Sequence, residues 1–236
     1  THESFNDDLN KVIDDGLANG VNRFLVVAAE LDDAEKINKL ILQHDDIFCF
    51  TTGVHPHHAK SFNSDSSDRM RELIKKYSPH ALGEMGLDFF RNLSSHDEQV
   101  FAFEEQIKLA IEFNKPLFLH QRDSHESFIK VLNTYKTDID KAVVHCFTGT
   151  QLELDDYVES DFYIGLTGWI CDERRNKDLR ASIKNIPLNR LMLETDSPYL
   201  IPRNLKPKPK SNRNEPKNLM HIASEIAGLR SESIEE

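Results

Sequence analysis

Cysteine is scarce in this chain of 236 residues: there are three, Cys49, Cys146 and Cys171, far apart and with no CxxC spacing. Neither a disulfide framework nor a thiolate zinc knuckle follows, and a reducing cytosol is the simplest compartment. No apolar run approaches the ~20 residues that a membrane span needs. The start, Thr1-His2-Glu3-Ser4, has neither the basic nor the apolar region of a secretory leader. A cytoplasmic protein with no membrane partner is expected, and no feature points to a stable protein partner. Positive charge is in deficit, 29 Lys and Arg against 40 Asp and Glu, for a formal net charge of −11. That balance excludes a protein that coats nucleic acid by bulk charge, but not an enzyme that holds a strand end in a local basic groove. No GxGxxG follows the first strand-like runs, and neither a P-loop nor a GxSxG occurs. Dinucleotide binding and serine-nucleophile chemistry lose their usual support.

What the chain does have is alternation. Apolar, β-rich runs read at 24–29, 47–54, 81–86, 116–120, 141–147, 162–168 and 191–196. Helical patterns precede or separate them at 5–19, 31–43, 65–77, 95–113, 124–136, 150–159 and 174–185. The clearest is 95–113, where Phe101, Phe103, Ile107, Leu109, Ala110 and Ile111 recur at helical spacing. A last helix starts near Pro216, with Asn214 as its expected cap. Seven βα repeats predict a parallel sheet covered by helices. The expected fold class is α/β, a TIM-type (β/α)8 barrel in one metal-dependent hydrolase domain over 1–236. With the chain opening directly on a helix, it would lack its first strand and part of its last helix. An open doubly wound sheet is the rival.

In a barrel the C-terminal strand ends carry the chemistry. Here four of them carry metal-ligand side chains: Glu84, His120, His145 and Asp196, separated by 36, 25 and 51 residues. Gaps of one or two βα units allow all four to converge on one mouth. Two imidazoles and two carboxylates suit a divalent cation of the Zn, Mn, Fe or Mg range. The strand period places Phe118 with His120 and Val143 with His145, so Cys146 is expected to point outward and to be no ligand. Glu194, two residues before Asp196, reads as support for the ligands or as a helix-facing ion pair.

The loops offer candidates for substrate. His57, in Gly53-Val54-His55-Pro56-His57-His58, reads either as a substrate contact or as part of a solvated turn; His55 shares the loop. Arg122 either grips a phosphate or pairs with Asp123. Five basic residues and no acid lie between Arg203 and Arg213, directly after the last strand, either as a solvated face or as a track for a phosphodiester backbone. Trp169 ends a strand near the same mouth, to stack on a base or to pack at the rim.

These residues stand in familiar strings. Pro116-Leu-Phe-Leu-His120-Gln-Arg122-Asp-Ser-His-Glu126 and Leu191-Met-Leu-Glu194-Thr-Asp196-Ser-Pro198 resemble two signatures of the TatD family of metal-dependent deoxyribonucleases. Gly83-Glu84-Met-Gly86-Leu-Asp88, His145-Cys-Phe-Thr-Gly149 and Arg213-Asn-Glu-Pro216 are similar to that family too. Gly168-Trp-Ile-Cys-Asp-Glu-Arg-Arg175 resembles the branch that gives the family its name. The family's first signature, a His-x-His on the first strand, is not present. The resemblance implies a TIM-type barrel with a divalent metal, Mg first and Mn or Zn next, held by Glu84, His120, His145 and Asp196. It also implies hydrolysis of DNA, 3′→5′ from single-stranded ends, and a role in trimming damaged ends.

On this reading Asp196 and Glu84 are catalytic, Asp196 as the base for the attacking water. His57, Arg122, Arg203 and Arg213 would contact the strand. Two rivals use the same residues differently. One is a metal-dependent hydrolase of small amides, lactones or aminoacyl esters. The other is a non-catalytic barrel with a vestigial site.

Overall fold

The computed structural model describes residues 2–43 and 46–235, so both ends of the expected domain, 1 and 236, lie outside the described residues. The chain divides into two compact units, one over residues 23–144 and one that joins 2–22 to the chain from His145 onward.

In the first unit, β1 (Phe24–Val26), β2 (Phe48–Thr52), β3 (Ala81–Asp88), β4 (Leu117–Arg122) and β5 (Ala142–Val144) pair in parallel with their neighbours in chain order. The helices between them are α2 (Asp33–Ile41), α3 (Ser64–Tyr77), α4 (His96–Glu112) and α5 (His125–Thr134). The helix starts are written in the side chains. Asn63 and Ser66 cap α3 reciprocally, and Ser95 and Glu98 do the same for α4. Leu82, Met85, Leu87, Leu117 and Leu119 fill the sheet's buried positions, and Phe103 stacks on Phe128 with ring centroids 5.3 Å apart. Each such side chain stabilises by roughly 1.5–3 kcal/mol relative to exposure.

Helix α4 corrects one expectation. Its buried face includes Gln99 and Gln106, whereas Phe101 is 46% exposed. The amides are buried because they bond backbone. Gln106 accepts from the N–H of Val54 at 2.7 Å and donates to its carbonyl at 3.0 Å. Gln99 accepts from the N–H of Asp88 at 2.7 Å and donates to the Asp88 carbonyl at 3.2 Å.

In the second unit, β6 (Tyr163–Leu166) pairs in parallel with β7 (Leu191–Leu193). Helices α1 (Leu9–Ala18), α6 (Gln151–Glu159), α7 (Lys177–Ser182) and α8 (Leu219–Arg230) accompany them. The helix expected over 174–185 is shorter: α7 gives way to a 3-10 turn at Ile183–Asn185. Asn214 is not a helix cap. Its side chain, fully buried, donates to the carbonyl of Thr195 at 2.7 Å and accepts from the N–H of Glu215 at 2.9 Å. Its own N–H donates to the Pro198 carbonyl at 2.9 Å. Asn214 therefore ties down the loop that carries Asp196.

The strand-like runs at 24–29, 141–147 and 191–196 outlast their ladders. The reason is visible in the hydrogen bonds: the N–H of Ala28 goes to Thr51 Oγ1 at 3.1 Å, that of Ala29 to Asp33 at 3.1 Å, and that of Cys146 to Glu194 at 3.1 Å. Side chains replace the neighbouring strand where the chain turns toward its loops. Among the described residues no helix is long and apolar enough to cross a membrane.

Candidate metal centre and active site

The first unit gathers a cluster of acids and imidazoles at its strand ends. Between Leu82 and Met85 the ladder of β3 against β4 slips by one residue, and Glu84 sits in that bulge. Gly86 follows with φ +144°, and a Cβ there would lie 2.0 Å from the His120 carbonyl oxygen. Only glycine lets β3 approach β4 this closely beside the two polar residues.

His120 Nδ1 is 2.8 Å from Glu84 Oε1, and His55 Nε2 is 3.3 Å from the same oxygen. His55, Glu84 and His120 offer donor atoms that all lie within 4.8 Å of one another. Burial lowers the His55 pKa, opposed by the Glu84 charge, so the ring stays neutral near pH 7. The N–H of His57 donates to His55 Nδ1 at 3.1 Å, so the ring turns its Nε2 toward Glu84.

Asp88 ends the same strand with its side chain 1% exposed. His57 Nε2 is 2.8 Å from Asp88 Oδ2, and His120 Nε2 is 3.4 Å from it. Burial opposes ionisation of Asp88, but hydrogen bonds from His120, from the Arg91 N–H and from His57 win and hold its carboxyl well below the usual carboxylate range. His57 thus braces a buried carboxylate, and His120 stands between two. Two imidazole nitrogens and a carboxylate oxygen form a nitrogen and oxygen donor set of the kind that takes a divalent cation.

Arg122 is exposed, and its guanidinium lies 3.9 Å from the centroid of the Phe90 ring. Among the described residues it forms no ion pair with Asp123.

The second unit holds His145, Glu194 and Asp196. Glu194 Oε2 is 3.3 Å from His145 Nδ1 and accepts the Cys146 N–H at 3.1 Å, so Glu194 supports His145 rather than a helix face. Asp196 has φ +53° and Cys146 has φ +48°. Both residues leave the strand alternation, so the two-residue period used for Cys146 does not reach it. Burial, and then the Asp196 charge, pushes the Cys146 thiol up to about 12.

Arg203 Nε is 3.8 Å from Asp172 Oδ2. Arg213 is held within the unit: it donates to Asp8 at 2.8 and 2.7 Å, to Glu215 at 2.7 Å and to the Ser4 carbonyl at 2.6 Å.

Two residues that the structure brings to Glu84 and His120 have no ligand role in the sequence patterns. Asp88 stood in a quoted motif without a role, and His55 was secondary to His57. The signal for Asp88 was its place four residues after Glu84 in one strand, hence on one face.

The model of the family described as TatD related DNase matches residues 1–236. The chain belongs to the TatD related DNase family. A relative from Pantoea ananatis, named "3'-5' ssDNA/RNA exonuclease TatD", is 44% identical over 235 residues, which cover 100% of this chain and 90% of that protein. The relative of the same name from Erwinia tasmaniensis is 43% identical over 230 residues, 98% of this chain and 89% of its own. Among solved structures, the TatD homologue YJJV from Escherichia coli superposes with a TM-score of 0.89 at 24% identity, covering 99% of this chain and 88% of its own. A TatD family hydrolase from Entamoeba histolytica gives 0.85 at 25% identity, covering 97% and 84%. The fold is therefore the α/β, TIM-type barrel fold of the TatD family, and membership makes the chain a hydrolase of the nuclease class.

Proposed function

We propose that this TatD-family chain hydrolyses the phosphodiester bonds of single-stranded nucleic acid one nucleotide at a time from the 3′ end, with a divalent cation, Mg first and Mn or Zn next. The observation that carries the proposal is the His55–Glu84–His120 donor cluster in a chain 44% identical to a protein named for that activity. Glu84 and His120 hold the cation, with His55 beside them. By their positions at strand ends in the sequence, His145 and Asp196 join the ligands. When bound, the cation offsets phosphate charge and lowers the pKa of a coordinated water.

The chain's own groups do the rest. Asp196 accepts the proton of the attacking water. Glu194 keeps His145 oriented through Nδ1, and Asp88 orients His57 and His120 through their Nε2 atoms. His57, Arg122 and Arg203 meet phosphate oxygens. Arg213, with its guanidinium engaged by Asp8 and Glu215, serves the strand by fixing the segment that begins at Arg203. We place this activity in the cytoplasm, on damaged DNA ends.

The test is product mapping on 5′-labelled single-stranded DNA and RNA with Mg or Mn. A ladder that shortens from the 3′ end is expected, abolished by EDTA and by Asp196→Asn or Glu84→Ala in folded protein. Hydrolysis of a panel of small esters and lactones, with no nucleotide released from either strand, would overturn the proposal.

A further inference from the structure

The second unit contains a cleft of about 310 Å³ whose lining includes Trp169, Asp172, Arg175, Leu200, Ile201 and Arg203. Two loops build it. One follows β6 and carries Gly168 and Trp169. The other follows β7 and carries Leu200 and Ile201, four and five residues after Asp196. They touch backbone to side: a Cβ on Gly168 would lie 2.0 Å from the Leu200 carbonyl oxygen, so glycine sets the width of the cleft.

The walls differ in chemistry. Trp169 is half-buried, and its backbone is fixed: its carbonyl accepts from Asn176 Nδ2 at 2.7 Å and from the Asp172 N–H at 3.0 Å. Around Asp172, whose side chain is 6% exposed, stand Arg174 at 3.0 Å, Arg175 at 3.9 Å and Arg203 at 3.8 Å. Arg174 makes the close two-pronged contact, so one guanidinium neutralises the carboxylate. Arg175 and Arg203 are only loosely attached, stay more than half exposed and line the cleft. An anion between them gains two guanidinium contacts and displaces no strong ion pair.

We propose that this cleft is a strand-binding subsite for one nucleoside phosphate, with the base face on the Trp169 indole and the phosphate between Arg175 and Arg203. The inference rests on the nuclease reading above and adds to it where an unpaired strand is gripped. The volume lies at the small end of ligand clefts and suits a single nucleotide. Stacking accepts every base, because every base has a π-face, so the subsite is blind to sequence. A paired base hides its faces in the duplex and is excluded. The sugar has no assigned partner, so deoxyribose and ribose strands share this chemistry.

The protein carries its own reporter, because Trp169 is the one tryptophan in the sequence. The full chain is titrated in EDTA, where strands stay intact, with an oligo-dT, an oligo-rU and a hairpin duplex, while anisotropy of a labelled strand follows binding independently. Saturable change in tryptophan emission is expected with both single strands and not with the duplex. Trp169→Ala should weaken strand binding about 5- to 150-fold. The double variant Arg175→Ala, Arg203→Ala should lower the slope of log affinity against log salt by about 1.4, roughly 0.7 for each lost phosphate contact. Binding seen by anisotropy with no change in emission would overturn the subsite. So would a double variant with an unchanged salt slope, and so would a chain that binds no strand. The nuclease reading is judged separately by nucleotide release with Mg. Release without a change in emission removes the subsite alone; no release removes the reading on which it rests.

Discussion

Gln99 and Gln106 are uncharged and far from any candidate chemistry in the sequence, yet they hold the backbone of Asp88 and of Val54, the residue before His55. Each buried amide satisfies a donor and an acceptor that would otherwise be stranded. Replacing Gln106 by Met should therefore cost about 1–3 kcal/mol of stability. It should also weaken Mn binding about 10-fold or more, as loss of supporting contacts around a metal usually does. Calorimetric titration with Mn alongside thermal unfolding checks both; unchanged affinity would show that the His55 loop holds its place without the glutamine. Cys171 gives a simpler residue-scale test. Burial pushes its thiol up to about 12, so at pH 8 the thiolate is scarce. Iodoacetamide should leave Cys171 unmodified in the native protein and alkylate it after unfolding, as peptide mass spectrometry would read. Equal labelling in both states would contradict its burial.

At the scale of elements, β3 is the part most finely adjusted. Its bulge at Glu84 and its contact with β4 at Gly86 leave no room for a methyl group. Gly86→Ala should destabilise by more than about 2 kcal/mol, through overpacking and an unfavourable φ together. An unchanged denaturation midpoint would mean that β3 shifts freely. The second element-scale device joins α1 to the approach of α8. Arg213 grips Asp8 and Glu215, and Lys217 bonds Glu215 at 2.6 Å and Asp15 at 3.2 Å. Burial of Glu215 disfavours its charge, but Lys217 and Arg213 outweigh that and lower its pKa. A carboxylate with a lowered folded pKa stabilises the fold above its ordinary value and loses that contribution as pH falls below it. Stability measured by urea unfolding should therefore drop from about pH 5 downward. Glu215→Gln should flatten that drop while costing about 1.5–3 kcal/mol near pH 7. The same acid sensitivity in the variant would place the titrating group elsewhere. The elements also show what a sequence can and cannot say. The runs around Phe24 and Ala142 announced strands because they are apolar and β-branched. Their ends were overrun because Thr51 and Glu194, distant in sequence, supply the hydrogen bonds that end the ladders.

For the whole molecule, seven alternating strands and helices were enough to indicate the architecture, since a parallel sheet needs a crossover after each strand. Glu84, His120, His145 and Asp196 stand out as candidates in the sequence because each is a polar residue closing an apolar run. Asp88, His55 and Asn214 do not, because their importance lies in partners: Asp88 is defined by His57 and His120, and Asn214 by the carbonyl of Thr195. Charge tells the same story. A net charge of −11 leaves room for a local basic patch, and Arg174, Arg175 and Arg203 stand around a single carboxylate. The proposed activity requires a cation seated at the strand ends of the first unit. Anomalous scattering from crystals soaked in MnCl₂ tests that most directly. A peak is expected within bonding distance of both Glu84 and His120, lost in Glu84→Ala; a peak that touches neither side chain, or none at all, would rule the proposed centre out.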